Sequence, residues 1–277
     1  MHIVDTQVHI WGADTPQRPW PKRQAPHRPQ PITKDDLLQE MKVAGVERAV
    51  LVPPGWEGDR NDLALEAARL HPDRFVVMGR LDTDDPKVID RLPAWTSQTG
   101  MKGVRLTFHT PWQLPLLTEG KLEWFWPLAE RYGIRVMLLA PHALLHLIDA
   151  IAQRYPGLSI ALDHMSIPYH TKDEASFIGL DKLLALAPRP NIAVKVSGLP
   201  CNTTEPYPYS IVQGHIRRVY DAFGPRRLFW GSDLSRLPCS YRQCVTLFTE
   251  ELPWLTARDK EWIMGRALCE WLDWPLP

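Results

Sequence analysis

The sequence predicts a single-domain α/β fold, a (β/α)8 TIM barrel, on three observations. Eight short apolar runs recur, after the first, at intervals of about 25 to 35 residues, each followed by a stretch with helical spacing. Several runs, such as Arg48 to Pro53 and Arg135 to Ala140, are apolar throughout, as parallel strands covered on both faces are. No G-x-G-x-x-G follows any of them, which counts against an open doubly wound sheet.

The elements follow in order. Ile3 to Trp11 opens the chain as the first strand, and strand alternation places Asp5, Gln7 and His9 in one row. The proline-rich stretch 11–32, holding Trp11 and Trp20, is too long for a simple connection and reads as an active-site lid. Thr33 caps the next helix, with Asp36 completing a capping box. Strands are then expected at Arg48–Pro53, Arg74–Leu81, Lys102–Phe108, Arg135–Ala140, Leu158–Asp163, Asn191–Ser197 and Arg227–Ser232. The intervening helices are expected at Asn61–Leu70, Pro86–Thr96, Leu122–Tyr132, His142–Arg154, Ala175–Ala187 and up to Phe223. Tyr241–Leu272 follows as a last amphipathic helical region.

Composition excludes several functions. With 32 basic and 32 acidic residues the net charge is zero, without the basic excess of a nucleic-acid binder. No apolar run approaches the roughly 20 residues a membrane span needs. The four cysteines form no C-x-x-C pair, which points to reduced thiols and a cytoplasmic location. A tryptophan-rich surface leaves an oligomer open.

In such barrels the catalytic groups sit at the carboxyl ends of the strands. Those ends carry Gln7 and His9, Arg80 and Asp82, Arg105 and His109, His142, His164, Lys195 and Ser197, and Asp233. Polar or titratable ends on seven of the eight strands exceed what packing requires. The motifs D-T-Q-V-H-I-W at 5–11, L-D-H-M at 162–165, V-K-V-S-G at 194–198 and F-W-G-S-D at 229–233 resemble the amidohydrolase superfamily. The resemblance is to its amidohydrolase-related group, which includes pyrone-dicarboxylate and sugar-lactone hydrolases, and it spans almost the whole chain.

The resemblance implies an H-x-H on the first strand, a histidine after the sixth and an aspartate after the eighth. His9, His164 and Asp233 stand at three of these places, and Gln7 stands where the first histidine would be. No lysine ends the fourth strand, so the bridging ligand of binuclear members is missing. A carboxamide oxygen is a poorer ligand than imidazole, so no cofactor is expected. The alternative is a divalent metal, zinc or manganese, on His9, His164 and Asp233.

The implied activity is a hydrolase opening a lactone or similar cyclic ester in carboxylic acid catabolism. Asp233 is the expected general base, with His9 and His164 stabilising the oxyanion. Arg105 and Arg80 are expected to hold a substrate carboxylate, or else to form ion pairs within the barrel. Lys195 is a further anchor or an internal salt bridge. Gln7 either donates to the same oxygen or fixes His9. Trp11, Trp56 and His142 are expected substrate contacts, with loop packing and a hydrogen-bonded helix start as their other readings. The alternatives are a metal-dependent decarboxylase and a non-catalytic small-molecule binding barrel.

Overall fold

The computed structural model describes residues 1–276. Its strands are β1 (Val4–Val8), β2 (Arg48–Leu51), β3 (Phe75–Arg80), β4 (Met101–Thr107), β5 (Arg135–Leu139), β6 (Ile160–Leu162), β7 (Ile192–Ser197) and β8 (Leu228–Gly231). They pair in sequence order, all parallel, and form the expected TIM barrel. The outer layer is α1 (Lys34–Ala44), α2 (Asp62–Leu70), α3 (Val88–Arg91), α4 (Leu114–Thr118), α5 (Phe125–Arg131) and α6 (Leu145–Arg154). It continues with α7 (Leu180–Leu184), α8 (Ser210–Phe223), α9 (Tyr241–Thr249), α10 (Ala257–Glu261) and α11 (Ala267–Trp271). Among the described residues no helix is long and apolar enough to cross a membrane.

Helix α1 begins as its sequence dictates. The Thr33 hydroxyl accepts from the Asp36 backbone, and the Asp36 carboxylate accepts in return from the Thr33 backbone. Three other expected helices are shorter. The 86–96 segment gives only α3 and then a 3-10 stretch containing Pro93, which has no N–H to continue the helix. The 175–187 segment contracts to α7 behind Gly179. The expected run from Tyr241 to Leu272 breaks at Pro253 and again at a π-helical turn around Gly265.

The first strand departs from simple alternation. Asp5 pairs with Ala49 but Val8 pairs with Leu51, so β1 carries one extra residue and bulges between them. Asp5 therefore does not share a row with Gln7 and His9. It turns outward, where its carboxylate accepts from the Tyr241 hydroxyl on α9 at 2.6 Å. The same carboxylate accepts from the backbone N–H groups of Gln7 and Ser232, both at 2.9 Å. Asp5 thus fastens β1 to the end of β8, helped by Asp233 N–H donating to the Gln7 carbonyl at 3.0 Å. Gly231 is required at this seam, since a Cβ there would lie 2.6 Å from the Thr6 hydroxyl.

The barrel interior is stratified. Its base is apolar, with Val4, Val50, Val76, Met78, Met137, Ala161, Ala193 and Phe229 packed over Trp262, Leu268 and Trp274. Burying each large side chain stabilises by about 1.5–3 kcal/mol. A second apolar shell lies between strands and helices. Period-two alternation then carries the interior rows upward from apolar to charged: Val76, Met78, Arg80 on β3 and Ala193, Lys195, Ser197 on β7.

Candidate active site

Three strand ends converge. His9 Nε2 lies 3.3 Å from Asp233 Oδ1, and His164 Nε2 lies 3.8 Å from Asp233 Oδ2. All three residues are buried. Asp233 Oδ2 also accepts from Arg236 at 3.2 Å. Burial alone would raise the Asp233 carboxyl, but His9, His164 and Arg236 favour the charged form and hold it well below the ordinary carboxylate range.

The protonation of both imidazoles follows from their other nitrogens. His9 Nδ1 lies 2.6 Å from the Val52 carbonyl, and His164 Nδ1 lies 3.1 Å from the Ser197 carbonyl. A carbonyl can only accept, so both Nδ1 atoms carry the hydrogen and a neutral ring presents its Nε2 lone pair to the mouth. Burial pushes His164 down to about 4, so it is neutral near pH 7. In this tautomer the inward Nε2 atoms accept, so an oxyanion-donor role would require a second proton on the ring.

Backbone strain accompanies the convergence. His164, Met165 and Ser166 are successive left-handed residues at φ 52°, 53° and 57°, and Asp233 has φ 52°. Each such residue costs about 1 kcal/mol or more, and observed strain of this kind clusters at functional sites. Gly198 makes room for it. At φ 63° it lies so close that a Cβ would sit 3.1 Å from Asp233 Cβ and 3.3 Å from His164 Nδ1.

Beneath these groups lies a closed ionic floor. Lys195 Nζ pairs with Asp163 Oδ1 at 2.9 Å, and Arg105 Nε donates to Asp163 Oδ2 at 3.2 Å. Lys195 also donates to Gln7 Oε1, which directs the Gln7 amide nitrogen to within 3.4 Å of His9 Nε2. Lys195, Asp163 and Gln7 have no exposed surface. Lys195 and Gln7 thus follow their other readings, an internal salt bridge and a support for His9, because the network leaves none of their polar atoms at the cavity.

Two arginines do reach the cavity. Arg80 and Arg105 are register partners on β3 and β4, and both line an inner and an outer lobe of the mouth. Arg80 pairs with Asp59 at 3.3 Å. Burial, only partly offset by Asp59, and the charge of Arg105 lower its pKa. Arg23, Arg80, Arg105 and Arg236 line the two lobes against Asp59, Asp84 and Asp233, so the mouth carries one cation in excess. An excess of that sign attracts anions.

The 11–32 segment closes over this mouth. Its base is joined by Trp11 N–H to the Ile32 carbonyl at 3.1 Å. Arg18 latches it with Nε to buried Glu57 at 2.6 Å and a two-pronged pair to Asp62 at 2.6 and 3.0 Å. Arg28 donates to the carbonyls of Leu234 and Ser235 at 2.7 and 3.1 Å. Between the latches, His27 enters the inner lobe, its Nδ1 2.8 Å from the Ser235 hydroxyl and its ring edge-on to Trp56 at 4.6 Å. Burial and then the neighbouring His9 push His27 down to about 3.

The other expected contacts divide. Trp56 lines the inner lobe. Trp11 does not; it is buried behind Trp56, edge-on at 5.2 Å, and packs the wall. His142 does not either, since its Nε2 donates to the Met165 carbonyl at 2.9 Å and supports the strained turn from below. His27, Arg236 and Asp163 escaped the sequence reading. Asp163 and Arg236 flank recognised motif residues, which is a usable signal; a histidine inside a proline-rich loop gives none.

The expectation that no metal is favoured rested on the histidine lost at position 7. The fold supplies another: single donor atoms of His9, His27 and Asp233 all lie within 4.8 Å of one another. Asp233 Oδ1 is buried with no hydrogen-bond partner, facing the His9 Nε2 lone pair at 3.3 Å. His9 Nε2 otherwise meets only the Gln7 amide N–H at 3.4 Å, and a proton or a cation between the two acceptors would satisfy both. Two imidazoles and a carboxylate are a donor set that zinc accepts. The residues fit a single divalent cation.

A family model described as amidohydrolase matches residues 4–267. An L-fucono-1,5-lactonase of Burkholderia ambifaria is 29% identical over 251 residues, covering 84% of this chain and 81% of that protein. Among solved structures, an amidohydrolase of Burkholderia multivorans with bound zinc superposes with a TM-score of 0.81 at 19% identity, covering 99% of this chain and 100% of the other. A putative 2-pyrone-4,6-dicarboxylic acid hydrolase of Pseudomonas putida gives a TM-score of 0.77 at 23% identity, covering 100% and 99%.

Proposed function

The chain belongs to the amidohydrolase family, and from that premise we propose that it hydrolyses a lactone bearing a carboxylate. One observation carries this reading: an ionised, partly unpaired Asp233 shares a mouth with the Arg80–Arg105 pair. The named relative, a lactonase, supports the bond type. The two arginines support an acidic substrate.

In the proposed reaction, Arg80 and Arg105 hold the carboxylate and so orient the ester carbonyl toward Asp233. His9, His27 and Asp233 would hold a divalent cation, which when bound polarises the ester carbonyl and makes water more acidic. Asp233 takes a proton from the attacking water at Oδ2, where the His164 Nε2 lone pair, 3.8 Å away, can accept a hydrogen bond from it. The water oxygen bonds to the carbonyl carbon, and the ring carbon–oxygen bond then breaks. The proton returns from Asp233 to the leaving alkoxide, giving an open hydroxy acid. Arg236 keeps the carboxylate from rotating, while Trp56 and the 11–32 segment exclude bulk water. The four cysteines are unpaired, which supports a reducing, cytoplasmic setting.

The test is a panel of lactones with and without a carboxylate, followed by alkali uptake at constant pH, with carbon dioxide measured from aromatic acids in parallel. Ring opening that prefers the carboxylated lactones is the expected result. Carbon dioxide release without ring opening would replace this reading with the decarboxylase. Ligand binding without either reaction would replace it with a binding barrel.

A further inference from the structure

We propose that His27 takes over the ligand place lost at position 7, so that cation binding and closure of the 11–32 segment are one coupled event. Position 7 is excluded as a ligand by its surroundings. The Lys195 ammonium can only donate, so it fixes Oε1 of Gln7 downward, and the amide nitrogen, which has no free lone pair, faces His9. His9 and Asp233 then hold two donors on the barrel, and Asp233 Oδ1 is left without a partner although it is fully buried. The third donor arrives on a different element, the loop that covers the mouth.

That loop is seated by contacts made within and around it. The Arg18 latch fixes it at one side and Arg28 at the other, and Ser235 and Trp56 set the His27 ring between them. With the segment away from the mouth, two donors remain; with it seated, three. A cation bound through His27 must therefore favour the seated form, and by linkage anything that loosens the segment must weaken the cation by the same factor. This inference shares the catalytic site described above but does not depend on which reaction occurs there.

The experiment strips the full-length protein with a chelator and adds zinc back. Affinity is read by calorimetry and elemental analysis, and closure by the rate of tryptic cleavage after Lys22 and Arg23. Wild type should bind one zinc and become slower to cut. His27→Ala should lose zinc affinity by more than about 100-fold, the upper figure for losing a residue that merely orients a ligand. Arg18→Ala, which touches no proposed ligand, should lose affinity by about 5-fold or more. His27→Cys loaded with cobalt should show a thiolate-to-cobalt band in the near ultraviolet that cobalt-treated wild type lacks. Unchanged zinc affinity in His27→Ala, absence of the band in His27→Cys, zinc that leaves the cleavage rate unaltered, or no zinc in wild type would each overturn the inference. Any of these failures alongside lactone opening would overturn only this inference, and zinc coupling without lactone opening only the proposed reaction.

Discussion

The floor and the roof of the mouth are built on opposite principles. The floor is Gln7, Lys195, Asp163 and Arg105, all on or just beyond strands and all buried, with the Asp163 carboxylate held between the two cations. The roof is His27 with Arg18 and Arg28, carried by a proline-rich loop and held at a few latches, of which only the Asp62 arm is exposed while Glu57, Leu234 and Ser235 are buried. The floor cannot move without exposing unpaired charge. The roof is joined by a few side-chain contacts at its latches, and once the segment lifts water can reach the groups it leaves. A rigid base that orients and a removable cover that completes the site is the division of labour the difference implies.

Breaking the floor should have the largest effect. Lys195→Met leaves Asp163 as a buried carboxylate short of its main partner, and such losses cost about 3–5 kcal/mol. Urea unfolding should show that drop, and an unchanged midpoint would mean that the floor is not rigid. Arg80→Gln removes a charged contact worth about 1.5–3 kcal/mol to a bound anion. The KM for carboxylated lactones should rise by about 10-fold or more, while uncarboxylated lactones are unaffected. Gly198→Ala forces a side chain into the left-handed region against Asp233 and His164, costing about 1–2 kcal/mol. Thermal unfolding should register it, and kcat should fall more than KM changes, because the displaced groups are the reacting ones. The roof gives the smallest effect. Asp62→Ala removes the exposed half of the Arg18 latch, and global stability should change by under about 1 kcal/mol. A larger loss would place the roof in the rigid part of the molecule and erase the contrast.

The same contrast explains what was legible in the sequence. Strand ends repeat a fixed geometry, so the positions of His9, Arg80, Arg105, His164 and Asp233 around one mouth follow from chain order alone. Inward or outward direction was legible only where alternation is unbroken. The bulge in β1 turned Asp5 away to the Tyr241 side, and nothing in D-T-Q-V-H announces an extra residue. The Lys195–Gln7–Asp163 floor needs three strands to be placed in register before it can be seen. His27 was hidden for a different reason: a loop carries no period, so where its one histidine arrives is decided by distant anchors such as Glu57, Asp62 and Ser235.

The central claim rests on Asp233 and is tested most directly by Asp233→Asn, which keeps the shape and removes the base. Ring opening of a carboxylated lactone should fall by about 100-fold or more, within the range a positioned general base contributes, while circular dichroism and thermal unfolding show an intact barrel. A folded Asp233→Asn protein that opens the lactone at the wild-type rate would contradict the account.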